Sequence, residues 1–183
     1  MGIKNILRLL KAFLFGLTGL FIMITLISLL ITANVRVSRA VAIANTSNNK
    51  INEQIANLKN WKNWHPIFKA GIAEISYGDS SSGKNENCTI RYNNKVTHLK
   101  IIAQDTTSVR FLLQSDGEND SENEISFNSL TSASEITVEY RALTHLNWYP
   151  WEKFYAIFID KITGPGYEAA LNGLKEYLEK NTN

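Results

Sequence analysis

Three histidines, one cysteine and a run of serines are the residues of this chain best suited to chemistry, and their spacing assembles no familiar site. His65, His98 and His145 are too far apart in sequence to form a metal-ligand pattern. His98 shares the expected wet face of a strand with Lys100 and Gln104, while His65 and His145 sit beside turns. Cys88 is the single cysteine, so no disulfide can form within the chain, and in a strand it reads as a small apolar side chain. Residues 79–83 (DSSSG) offer hydroxyls with no base placed beside them, and the chain has no G-x-S-x-G elbow or P-loop. Residues 115–124 (SDGENDSENE) are rich in carboxylates but lack the EF-hand spacing, and read as a solvated hairpin loop. Glu139 and Arg141 are the ionisable pair nearest an expected interior, yet strand parity turns them outward. No catalytic residue, metal ligand or cofactor is expected.

Aromatic residues are the stronger signal. Trp61 and Trp64 precede Pro66, and Trp148 and Trp151 bracket Tyr149-Pro150. A tryptophan at an element boundary serves as a structural latch, rims a pocket, or rests at a bilayer interface, where a flat apolar ring with one N–H is favoured.

The elements that position these groups follow from hydrophobic period. From 12 to 33 there is no charge, and a helix of about 20 apolar residues spans a hydrocarbon core. The run exceeds a signal-peptide core, and Ile31-Thr32-Ala33 has a bulky residue where a cleavage site needs a small one. The expectation is a basic tail over 1–11, an uncleaved transmembrane helix over 12–33, and one domain over 35–180. Thr18, Thr25, Ser28 and Thr32 are tolerable in lipid by bonding back to the preceding turn. Lys4, Arg8 and Lys11 before the run outnumber Arg36 and Arg39 after it. The positive-inside rule then puts the N-terminus in the cytoplasm and the domain on the periplasmic or extracellular side. All 17 acidic residues lie beyond Ala33, so the domain is near neutral and lacks the basic face of a nucleic-acid binder.

Within the domain, a short β-prone run over 35–43 precedes a helix carrying Ile51, Ile55 and Leu58 on one face. Strands are expected over 72–77, 88–92, 96–103, 108–114, 125–130 and 135–143. Alternation in the last three demands a sheet with one covered and one wet face, hence antiparallel. After Pro150, helical periodicity runs to Ile162. Gly164-Pro165-Gly166 is expected to interrupt it before a second stripe of Tyr167, Ala170, Leu171, Leu174 and Leu178. A strongly apolar terminal helix needs a partner, and the sheet's inner face is the only large one.

Two stretches add a resemblance. Leu58-Lys59-Asn60-Trp61-Lys62-Asn63-Trp64-His65-Pro66 resembles the Leu-Lys-Asn-Trp-x-x-Trp-Ser-Pro segment of the START-like (Bet v 1-like, polyketide cyclase and lipid transport) superfamily. Residues 164–175 (GPGYEAALNGLK) resemble the start of that superfamily's terminal helix. The resemblance implies an α+β helix-grip fold, a curved antiparallel sheet wrapped around a long C-terminal helix, here preceded by one transmembrane helix. It also implies a cavity between sheet and helix. The tentative lining is Phe111, Phe127, Tyr140, Phe158, Tyr167 and Leu171; Trp61, Trp64, Trp148 and Trp151 stand at a pocket rim or the membrane interface. The expected partners are membrane lipids and a small hydrophobic ligand. Two other readings stay open: a structural or protein-docking domain with a filled core, and a cyclase-type enzyme. The sequence does not specify an oligomeric state.

Overall fold

The computed structural model describes residues 3–69, 71–79, 83–128 and 135–181. Serines 80–82 and the last two residues of the strand expected over 125–130 lie outside the described residues. Helix α1 (Ile3–Ser28) starts nine residues before the expected span and stops five residues short of its end. It is long and apolar enough to cross a membrane. Thr18 and Thr25 do donate to the carbonyls of Leu14 and Phe21, at 2.9 and 2.8 Å. The early stop has a local cause: the next residues are held by the domain. Lys153 Nζ donates to the Ile31 carbonyl at 2.9 Å, and the Leu146 N–H donates to that of Ala33 at 2.8 Å. Thr32 correspondingly bonds to Asn34 and not back along the helix.

The domain begins with β1 (Asn34–Ala44), followed by α2 (Asn48–Ala56) and two 3-10 turns, Leu58–Asn63 and Pro66–Phe68. Six strands follow: β2 (Glu74–Tyr77), β3 (Asn87–Tyr92), β4 (Lys95–Gln104), β5 (Ser108–Ser115), β6 (Ser121–Asn128) and β7 (Glu135–His145). Helix α3 (Pro150–Lys180) closes the chain. The strands form one antiparallel curved sheet in the order β1-β7-β6-β5-β4-β3-β2. Each hairpin joins neighbours, and β1 closes onto β7 with Asn34 opposite His145. A bulge in β4, between Ile101 and Ala103, adds local bend and twist. Asn93 and Asn94, both at positive φ, make the tight β3–β4 turn.

Antiparallel pairing gathers strand ends. The start of β1, the end of β7, the start of β6, the end of β5, the start of β4 and the end of β3 share one edge of the sheet. Because β1 enters from α1 there, this is the root end of the domain.

The inner face carries the alternating core: Ile43 on β1, Ile101 on β4, Phe111 on β5, Ile125 on β6 and Val138 on β7. The outer face is polar, with Arg141 bridging Glu139 at 2.6 Å and Glu124 at 3.4 Å. The far end of the sheet is covered by α2, whose N-cap is Ser47, and by the first 3-10 turn. Trp61 and Trp64 donate through Nε1 to the Ile55 and Gln54 carbonyls, at 3.0 and 3.2 Å. These acceptors lie at the C-terminus of α2, where carbonyls have no helical donor.

Helix α3 is continuous, against the expected interruption at 164–166. Pro165 removes one N–H from the ladder, at a cost of about 3 kcal/mol in an exposed helix interior. Packing on both sides of Pro165 offsets this. Gly164 lies under the Arg39 guanidinium of β1, and a Cβ there would meet Nη2 at 2.2 Å. At Gly173 a Cβ would meet the Trp64 carbonyl oxygen at 2.2 Å. Close approach at these two points, rather than flexibility, is what the glycines provide.

Candidate functional site: an apolar cleft

Helix α3 meets the sheet chiefly along β1. A straight helix against the margin of a curved sheet leaves the sheet's middle uncovered toward the root end. The space is a cleft of about 680 Å³, within the range that holds a drug-sized or single-chain lipid ligand.

Its floor is a chain of four rings. Trp61 meets Phe111 edge-on at 5.1 Å, Phe111 meets Tyr140 at 6.0 Å, and Tyr140 stacks on Tyr167 at 4.5 Å. The rings come from the first 3-10 turn, β5, β7 and α3, so the floor forms only when the fold does. Leu99 and Leu113 widen it with aliphatic surface. Polar groups line the side toward the mouth, where Thr97 pairs with Ser115 and Thr144 with Ser121. The Tyr140 hydroxyl donates to Asn123 Oδ1 at 3.2 Å, and Asn123 Nδ2 donates to the Ser121 carbonyl at 2.9 Å. Burial pushes both the Tyr140 and Tyr167 phenols above the usual range, so they stay protonated and act as hydrogen-bonding groups.

His65 closes one wall. Its ring stacks on Trp61 at 5.4 Å and meets Trp64 and Phe68 edge-on. The side chain as a whole is half-buried, but Nδ1 is wholly enclosed and has no hydrogen-bond partner. Burial lowers its pKa to about 4, so the ring is neutral at pH 7.

The mouth lies between two hairpin tips and α3. Lys95 from the β3–β4 hairpin pairs with Glu118 from the β5–β6 turn. Asn119 Nδ2 donates to Glu152 Oε2 at 3.1 Å, and the Asn147 N–H donates to the same oxygen at 2.8 Å. Desolvation acts to raise the Glu152 pKa, but these bonds outweigh it and hold the carboxyl below its ordinary value. Exposed Tyr92, Tyr155 and Ile67 complete the rim.

The residues expected to line a cavity separate into three groups. Phe111, Tyr140 and Tyr167 face the cleft. Phe127 and Leu171 are buried in the solid core and do not reach it. Phe158 is 53% exposed on the outside of α3; its periodicity is helical, but its face is the one turned from the sheet. The tryptophans expected at a rim divide too. Trp61 and Trp64 are each 1% exposed, Trp61 forming floor and Trp64 lying in the core, whereas Trp148 and Trp151 are exposed outside the cleft.

Sequence reasoning missed the polar wall. Residues 115–124, expected to be a solvated loop, contain the end of β5 and the start of β6, and Asn123 is 0% exposed. The signal was present, because Asn123, Ile125 and Phe127 continue one alternation and only the polarity of Asn123 hid it. Histidines 98 and 145 are exposed, and their rings contact Thr89 and Asn34 through Nδ1. Cys88 is buried, and burial followed by the nearby Glu86 charge pushes its thiol up to about 12, which leaves it inert. Among the described residues no cluster of three metal-ligating side chains occurs.

No protein-family model matches the chain, and no curated protein matches it in sequence. Solved structures do match in shape. A START superfamily protein from Mycobacterium smegmatis is 13% identical with a TM-score of 0.56, covering 80% of this chain and 98% of its own. A hypothetical protein from Helicobacter pylori is 11% identical with a TM-score of 0.58, covering 78% and 87%. CalU16 from Micromonospora echinospora is 12% identical with a TM-score of 0.51, covering 79% and 75%. At such identities the likeness is one of architecture, and with the seven-stranded sheet and long terminal helix it establishes that this chain has a START-like, helix-grip fold.

Proposed function

We propose that this protein is a membrane-anchored START-like domain that holds a small hydrophobic ligand between sheet and terminal helix. One observation carries the reading: a cleft of about 680 Å³ floored by four aromatic rings. A core filled for stability alone would close such a space, since interiors pack to near-crystal density. The cleft's aromatic floor suits an apolar body, and the hydroxyls and charges toward its mouth suit a polar end. Helix α1 supports the anchor, and the excess of cations before it favours a cytoplasmic N-terminus with the domain on the far side.

The test is native mass spectrometry of the full chain released from membranes in mild detergent, followed by solvent extraction. The expected result is one apolar molecule per chain, reduced by Leu113→Trp, which fills the cleft from a half-buried position on β5. A chain that carries nothing, and takes up neither lipid nor a fluorescent fatty acid, rejects the reading.

A further inference from the structure

Among the described residues outside α1, Leu29, Leu30 and Ile72 are also exposed, but the largest group of exposed apolar side chains falls in 148–162, with Ile157 on a separate face of the helix. Trp148, Trp151, Tyr155, Phe158 and Ile162 are 67, 62, 50, 53 and 55% exposed. The last four recur at spacings of four, three and four, so they form one stripe along the first half of α3. No element of the structure covers them. A contiguous patch of this kind marks a binding surface.

What covers it follows from where it lies. Helix α3 starts at the root end, immediately after β7. Only five residues separate the end of α1 at Ser28 from β1 at Asn34. That connection is also tied down, because Lys153, from the first turn of α3, bonds the Ile31 carbonyl at 2.9 Å. The start of the stripe therefore lies beside the point where α1 leaves the domain, and its far end runs alongside the middle of β1, where Asp160 pairs with Arg39. Its composition of two tryptophans, a tyrosine, a phenylalanine and an isoleucine is that of a bilayer interface. The cleft opens on the same edge of the sheet, between the tips of β3–β4 and β5–β6, and Tyr155 belongs both to the stripe and to the mouth.

We infer that the first half of α3 lies on the bilayer with this stripe in the interface, and that the cleft opens onto the leaflet. The occupant is then an amphiphile already resident in that leaflet, whose hydrocarbon passes Tyr155 to reach the aromatic floor. This rests on the anchor and ligand readings above but adds an orientation that neither requires.

The four tryptophans supply the test. The full chain is reconstituted in phosphatidylcholine nanodiscs whose acyl chains are brominated near the headgroup. Carbonate extraction first reads the anchor by itself: a chain washed from the membrane rejects the anchor, and this inference with it. For a chain that stays, quenching of Trp148 and Trp151 is expected to remove about half of the emission. The double variant Trp148→Phe/Trp151→Phe, which keeps only enclosed Trp61 and Trp64, should lose most of the quenching, and the remainder should report a brominated chain held against Trp61 in the cleft. Adding Tyr155→Trp to that variant should restore quenching at the cleft mouth. An integral chain whose emission is indifferent to bromine overturns the inference. So does a stripe shielded in a dimer, read as two chains per disc by light scattering with no quenching. Ligand extraction is measured separately, so an empty cleft with full quenching sinks the ligand reading and the claim about the occupant, leaving the seat on the bilayer standing.

Discussion

The two halves of α3 obey different rules although one helix carries both. From Tyr167 onward the apolar residues point to the sheet: Ala170, Leu171, Leu174 and Leu178 are all buried, and polar residues take the outer face. From Pro150 to Ile162 the bulky apolar residues point mostly away, while Lys153 and Ile159 are buried. A helix in water buries its apolar stripe. The second half does so against the protein, and the first half has nothing but its surroundings. Amphipathic pattern alone says that a face is covered, and does not say whether protein or lipid covers it.

Breaking the second half should give the largest effect. Leu174→Ala empties a site with 0% exposure and should cost about 2–5 kcal/mol. Gly173→Leu should be at least as damaging, since even a Cβ meets the Trp64 carbonyl at 2.2 Å. Phe158→Ala on the first half removes a larger side chain, yet should change unfolding in detergent by no more than about 0.5 kcal/mol. Thermal unfolding of the three variants, followed by tryptophan emission, reads the contrast; equal losses at Leu174 and Phe158 would abolish it.

The region that α3's second half packs on also has a pH signature. His65 is held near pKa 4 by burial beside Trp61, against about 6.5 in an unfolded chain. Between these values the unfolded state binds more protons, so stability is complete above about pH 6.5 and falls as pH drops to 4. The loss should reach about 3 kcal/mol. Glu86, raised first by burial and only partly lowered by the Leu58 N–H and Lys59, acts in the opposite sense. Comparison with His65→Phe isolates the histidine: that variant should lack the decline in the pH profile of its melting temperature.

A gentler change probes the cleft wall. Tyr140→Phe leaves Asn123 Oδ1, at a residue with 0% exposure, without its donor. The cost should be about 1–2 kcal/mol, with ligand retention altered more than in any outer-face substitution such as Glu139→Gln. Unaltered retention and stability would remove the Tyr140–Asn123 pair from the site.

How legible this was in the sequence depends on the kind of signal. Alternation in 108–143 and helical period after Pro150 are local, and they yielded the strands, the antiparallel sheet and the terminal helix. The aromatic floor was only half legible. Phe111 and Phe127 alternate identically on neighbouring strands, and only the position of α3 along β1 decides that one meets empty space and the other solid core. Periodicity gives Phe158 a helical stripe but does not say which side of the helix faces protein, so its exposure is not legible from spacing alone. The interruption expected at Gly164-Pro165-Gly166 failed for the reverse reason. Those residues are locally helix-breaking, yet the helix runs through them, with Gly164 packed under Arg39 of β1, a contact distant in sequence.

The smallest expected effect concerns the tie between α3's first half and the segment that follows α1. Lys153 is 9% exposed and reaches the Ile31 carbonyl at 2.9 Å, so its stem packs while its ammonium satisfies a backbone acceptor just beyond α1. Lys153→Met keeps most of the apolar stem and removes the donor, and should lower global stability by only about 1 kcal/mol. Its local consequence should be easier to see. The segment between Ser28 and Asn34 is otherwise held by turn bonds from Leu29, Leu30 and Ile31 and by the Leu146–Ala33 bond, so its amides should exchange moderately faster in the variant while those of β4 and β5 stay unchanged. Deuterium uptake by mass spectrometry on the nanodisc-bound chain measures this. Faster exchange confined to 29–33 means that one hydrogen bond sets the angle at which the domain leaves α1; unchanged exchange means that other contacts hold that angle without it.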